Sequence, residues 1–265
     1  MFANHFILKL VLAPLIIAAA TLVSRRWGER ISGLMIGLPL TSAPVSIFFA
    51  IEQGREFAAS AALGSILGMI PVAVFCLGYV KAARRFSWYI SAVIGIAGYF
   101  LAVWAISHLS VNLEEIVILV PLALLLALLI LGQPKEKAGA IAAPWWDLPA
   151  RMAIAAILLV SITALANQLG SKWSGLLSPF PVFSFIMATF SHSQGGTDAA
   201  WRFMRGLLTG LFGYTAFFIV VALLVEHLDM IAVYVLAMTA ALGVNGISLA
   251  RLVWKSHSLQ ATSSS

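Results

Sequence analysis

The stretch SGLMIGLPL, residues 32–40, lies inside a long apolar run, yet it places two glycines and a proline within nine residues. Proline has no N–H to continue a helix and its ring clashes with the preceding turn, while glycine loses the most freedom on becoming helical. The run therefore reads as a helix broken at Pro39. A second stretch, SGLLSPFPV at residues 174–182, repeats the pattern with its break at Pro181.

Around these breaks the 265-residue chain is 62% hydrophobic and only 10% charged. Soluble domains carry about a quarter charged residues. Apolar runs recur along the whole chain, many near the roughly 20 residues that a helix needs to cross a bilayer. The composition predicts an all-α polytopic membrane protein with nine transmembrane helices, at residues 6–24, 31–51, 58–80, 88–108, 116–132, 149–168, 174–192, 206–225 and 230–250. The first is read as a retained helix rather than a cleaved signal, since it has a counterpart later in the chain. The net charge of +6 sits in short loops between spans, so it sets orientation and does not mark a nucleic-acid partner. The single cysteine, Cys76, lies mid-span, which excludes an internal disulfide and reads as packing.

Thirteen of the sixteen Lys and Arg fall in alternate loops on one side of this arrangement, among them Arg25, Arg26, Arg30, Arg84, Arg202 and Arg205. By the positive-inside rule the N-terminus is expected outside and the C-terminus in the cytoplasm. Tryptophans near span ends, such as Trp27, Trp88 and Trp201, fit an interfacial belt.

An offset of 142 residues aligns the two broken stretches without a gap. Gly28, Ser32, Gly33, Leu34, Pro39, Ser42, Gly54, Ala58, Gly64, Gly68 and Phe75 all meet identical residues within the 48 positions from 28 to 75. Glycine and proline fix backbone geometry, so their matching carries the most weight. Span two then corresponds to span seven, five crossings later, and an odd number of crossings inverts the second copy. The expected architecture is an inverted-topology repeat, spans one to four and six to nine, joined by span five. As domains this gives 1–112 for the first repeat, 113–148 for the connector helix and cytoplasmic linker, 149–252 for the second repeat and 253–265 for a polar tail.

Inverted repeats with discontinuous helices are a recurring plan of secondary transporters, with substrate near the midplane. Pro39 lies about 12 Å into span two and Pro181 about 10 Å into span seven from the other face. In a core about 30 Å thick the two breaks approach the middle from opposite sides. Each frees backbone polar groups, tolerated only against protein or a watery cavity. The expected substrate path is formed by Gly37, Pro39, Thr41, Ser42, Ser178, Pro181, Ser184 and Asn245. Kinks used only for packing would show the same pattern. Asn245, deep in span nine, either lines a cavity or hydrogen-bonds a neighbouring helix.

Three pairs, Gly33 with Gly37, Gly64 with Gly68 and Gly206 with Gly210, have the spacing of close helix packing, within the chain or in a homodimer. Glu56 and Asp198, matched across the repeat, read as helix caps. Residues 192–205, HSQGGTDAAWRFMR, read as a solvated loop, since they lack the spacing of a phosphate-binding loop. No Asp or Glu falls inside a span, which argues against a buried carboxylate proton relay. No catalytic residue, metal site or cofactor is expected, and the acidic clusters that a phospholipid or prenyl transferase would need are missing.

The pattern in WSGLLSPFPVFSF, residues 173–185, resembles the GlpM-like inner-membrane proteins, with similarity over spans six to nine. The chain would be a double-length relative. The resemblance implies a multi-pass location in a bacterial inner membrane and supplies no activity or site residues. By plan alone the fused halves are also similar to drug/metabolite transporters. Together these readings predict a secondary transporter or exporter of a small polar or amphiphilic solute, not an enzyme, with membrane lipid and an unidentified small-molecule or lipid substrate as its partners. A structural or accessory membrane protein is the alternative.

Overall fold

The computed structural model describes the backbone of residues 2–109, 111–134, 144–169 and 180–263, with helical side chains from residue 14 to 161 and from 180 to 250. Within these residues the chain forms ten helices and no strand: α1 Phe2–Trp27, α2 Glu29–Ile36, α3 Ser42–Glu52, α4 Arg55–Leu67, α5 Met69–Ala83, α6 Trp88–Ile106, α7 Leu113–Leu131, α8 Asp147–Leu169, α9 Val182–Leu224 and α10 Met230–Ser263. Each of the nine apolar stretches contains helix among its described residues, with the second interrupted between Ile36 and Ser42. Five segments are long and apolar enough to cross a membrane: α4 with α5 (Arg55–Ala83), α6, α7, α9 and Met230–Ala250 of α10. Their outward faces carry large apolar side chains, with Leu101 65%, Ile118 67%, Leu129 67% and Ile231 74% exposed. An outer surface this apolar suits hydrocarbon rather than water, and marks a membrane-embedded protein.

Span two is broken as its sequence requires. Helix α2 stops at Ile36, α3 starts at Ser42, and Pro39 lies in the non-helical joint between them. At its other end α2 starts from Gly28, whose φ of 89° is open only to glycine at low cost.

The segment 192–205 corrects the expectation of a loop. The backbone stays helical from Val182 to Leu224, and one residue, Gly196 with φ 71° and ψ −173°, bends it into two limbs. The neighbouring polar residues keep helical geometry, so a composition suited to a loop is carried on a bent helix. Gly54, its match across the 142-residue offset, holds a similar conformation, φ 92° and ψ 166°, ahead of α4. Glu56 is corrected too: no side chain caps α4, and this carboxylate lies in the first turn. It acts there through the helix dipole. Helix α10 runs on to Ser263, well past the expected end of span nine.

The second limb of α9 is the central strut. Ala199, Ala200, Phe203, Met204, Leu207, Leu208 and Leu211 are all buried along it. It packs against α2, α4, α5, α7 and α10, while α1 pairs with α8 and α5 with α6. The α2–α9 contact is a crossing of glycines. A Cβ on Gly37 would lie 2.7 Å from the Gly210 carbonyl carbon, and one on Gly206 would lie 2.8 Å from that of Arg30. Gly33 and Gly210 are equally crowded by the Phe203 and Leu34 carbonyls. The two glycine pairs let the backbones meet directly, as small residues do between membrane helices.

A buried ion network ties α1 to α8. Asp147, with no exposed side-chain surface, receives Arg25 at 2.9 Å and Arg151 at 2.7 Å, together with the Gln194 amide of α9 at 2.5 Å. Burial alone would raise the Asp147 pKa, but these donors outweigh it and hold the carboxyl below its usual range. Arg151 also donates to Gln194 at 3.2 Å and lies 4.8 Å from the centre of the Phe190 ring.

Candidate functional site

Pro39 and Pro181 each stand just ahead of a helix, α3 and α9, and residues 170–179, which precede Pro181 in span seven, lie outside the described residues. At the first, the Pro39 carbonyl accepts the Ala43 N–H at 2.9 Å, and Leu38 N–H reaches back to Met35 at 3.1 Å. Thr41 begins α3 without a side-chain cap bond. The next hydroxyl, Ser42, accepts a hydrogen bond from Tyr214 of α9 at 3.2 Å. One turn on, the buried Ser46 pairs with Tyr234 of α10 at 2.8 Å. The first break is therefore held by tyrosines from the second half of the chain.

The start of α9 is held in the reverse way. Pro181, φ −80° and ψ 66°, leads into α9, and its carbonyl accepts Phe185 N–H at 2.9 Å. Phe180 lies against α6 in the first half, 5.7 Å from the Tyr99 ring and 6.0 Å from that of Phe100. Below it the first limb of α9 receives the Tyr79 hydroxyl of α5 at the Ala188 carbonyl, 3.4 Å away. Ser184 is buried on this limb. Ser178 lies outside the described residues.

Tyr99 touches Phe180 beside Pro181, and Tyr214 holds Ser42 after Pro39. Asn245 joins the same side of α9 from α10: its amide donates to the Gly210 carbonyl at 3.3 Å and packs on Gly213. Gly210 is also the residue against which Gly37 packs. Thus Gly37, Ser42 and Asn245 all meet one stretch of α9, residues 210–214. Among the described residues, neither Thr41 nor Ser184 makes a side-chain hydrogen bond to it.

Buried polar atoms are left over here. The Tyr99 hydroxyl, the Thr215 hydroxyl and the Asn245 carbonyl oxygen have no hydrogen-bond partner among the described residues and almost no exposed surface. Each such group costs about 1–3 kcal/mol unless something bonds it. What they offer is neutral donors and acceptors among aromatic rings, suited to holding polar groups of a solute or water and not to acid–base chemistry.

Sequence reasoning missed Tyr99, Tyr214 and Tyr234. The available signal was a phenolic hydroxyl within an apolar span, which needs a partner when buried. Comparison with family models, with characterised proteins and with solved structures finds no match for this chain.

Proposed function

We propose that this chain is a transporter-like integral membrane protein whose solute path runs between the breaks at Pro39 and Pro181. The carrying observation is reciprocity. The first break is held by α9 and α10 of the second half through Tyr214 and Tyr234. The second is held by α5 and α6 of the first half through Tyr79, Tyr99 and Phe100. Under the 142-residue offset α4–α5 corresponds to the second limb of α9, and α6 to α10, so each broken span engages the counterparts of the other's partners. This is what an inverted repeat around a shared central site requires. The matching conformations of Gly54 and Gly196 support it.

On this reading the N-terminus lies outside a bacterial inner membrane, the arginine-rich end of the bundle faces the cytoplasm, and the chain is a double-length relative of the GlpM-like proteins. The solute is small and polar or amphiphilic, held by hydroxyls and amides.

Thiol labelling tests both parts in a Cys76→Ala background. Cysteines at Gln53 and Ser193, two exposed positions, report sidedness. In intact cells an impermeant maleimide should label the first and spare the second. Cysteines at Ser42 and Ser184 report the path, and both should react with a small hydrophilic thiol reagent in proteoliposomes. If both prove as inert as buried Cys76 in the parent chain, there is no watery path, and an accessory role replaces transport.

A further inference from the structure

Three arginines converge at the end of the bundle where α2 begins and the second limb of α9 starts. Gly206 lies directly against the Arg30 backbone, and this close approach brings the two arginine-bearing segments together. Arg202 and Arg205, three residues apart, share a side of α9. Arg202 Nε donates to Glu29 at 3.2 Å. Arg205 donates to the carbonyls of Leu128, at 3.2 Å, and Gly132. Burial and the neighbouring Arg205 charge pull the Arg30 pKa down to about 10, so these guanidinium groups lie close enough to repel.

The donors are not used up. Arg30 Nε, both terminal nitrogens of Arg202 and Arg205 Nε are buried with no hydrogen-bond partner among the described residues, and so is the indole N–H of the adjoining Trp201. Among the described residues the ion pair here is that of Arg202 with Glu29, one carboxylate for three arginines, which leaves a surplus of positive charge. A buried charge without compensation is costly. A partner that repairs this arrangement must be anionic, rich in acceptor oxygens and shaped for forked guanidinium donors. Phosphate has these properties, and arginine is the side chain that best matches it. Arg84 stands 4.6 Å from the centre of the Trp201 ring at the same place, adding a cation on an aromatic of the kind found at headgroup level.

We propose that Arg30, Arg202 and Arg205, with the Trp201 indole, form a binding site for a phosphate-bearing anion. Basic pockets between membrane helices take lipid headgroups by this chemistry, and a free phosphate group would be recognised in the same way. The site lies at the bundle end, away from the tyrosine-lined breaks, and does not depend on the transport reading.

The test uses the full chain in neutral detergent. Thermal unfolding is followed in mixed micelles with phosphatidylglycerol, in micelles with phosphatidylcholine, and with sodium phosphate at matched ionic strength. The expected result is a saturable upward shift of several degrees with phosphatidylglycerol and none with phosphatidylcholine. A matching shift with sodium phosphate assigns a free phosphate ligand; its absence assigns a lipid headgroup. Arg202→Gln should weaken the apparent affinity about tenfold or more, the loss of charge-assisted bonds. Arg26→Gln, at an exposed arginine lying over Trp27, should leave it unchanged. Should Arg202→Gln not fold, Arg30→Gln takes its place and should weaken binding likewise. No shift with either probe, or the same response from wild type and the site variants, overturns the proposal.

Discussion

Two arginine clusters lie close together in this molecule, and they are finished to different degrees. Around Asp147 the accounting closes: Arg25, Arg151 and Gln194 converge on one carboxylate. Around Arg202 it does not, since Glu29 bonds Arg202 alone and four buried nitrogens of the three guanidinium groups have no partner among the described residues. The clusters are neighbours along the chain, because Arg25 lies in the last turn of α1 and Glu29 opens α2. Proximity and composition are alike, so the difference lies in what the chain itself supplies. A closed network fastens helices. An open one is shaped for something that is not part of the chain.

The largest expected effect breaks the closed cluster. Asp147→Ala leaves Arg151, itself only 5% exposed, without its carboxylate. Removing one partner of a buried pair costs about 3–5 kcal/mol. The variant should lose most of its monodisperse population on mild heating in detergent, measured by size-exclusion chromatography. Arg202→Gln under the same treatment, without phosphate or anionic lipid, should match or exceed wild type, because it relieves surplus buried charge. If Arg202→Gln proves as damaging as Asp147→Ala, both clusters are structural and the contrast fails.

Next in size is the glycine crossing that builds the open cluster. Gly206→Val sets side-chain atoms against the Arg30 carbonyl and forces α2 away from α9. Overpacking of this kind costs about 1–3 kcal/mol. The variant should show a lower thermal midpoint together with a smaller shift on adding phosphatidylglycerol. Gly64→Val, at a position with no described atom within 4 Å of its Cβ direction, should change neither by much. A normal lipid response in Gly206→Val would show that the arginines do not need the close crossing.

How far these features were legible in the sequence depends on whether their cause is local. The break at Pro39 was readable because proline and glycine act on their own backbone. The glycine pairs were readable as close-packing faces, but not which face meets which: Gly33 and Gly37 cross Gly206 and Gly210, a pairing that the repeat alignment does not give. The bend at Gly196 was misread as a loop because polar residues surround it, whereas one positive φ turns the chain and the rest stays helical. The tyrosines that hold the breaks were missed for a different reason. Tyr214 lies 172 residues from Ser42, and no local rule links a span to a hydroxyl so distant. Asp147 and Arg151 form a spacing of four that reads as an ordinary surface pair. Only the packed fold shows Arg25, 122 residues away, completing it.

The smallest effect separates the members of the closed cluster. Arg25 has 37% of its side chain exposed, against 6% for Arg151, so water already shares in solvating it. An ion pair with one solvated partner contributes about 1 kcal/mol or less and is screened by salt. Arg25→Gln should therefore lower the thermal midpoint by only a few degrees at low salt, and the deficit should shrink in high salt. Asp147 keeps Arg151 and Gln194 in that variant, so its carboxylate remains paired. A deficit as large as that of Asp147→Ala, and unchanged by salt, would mean that Arg25 is the true anchor of α1 on α8. The network would then be closed by its most exposed member, and burial would no longer explain why one cluster is complete while its neighbour is open.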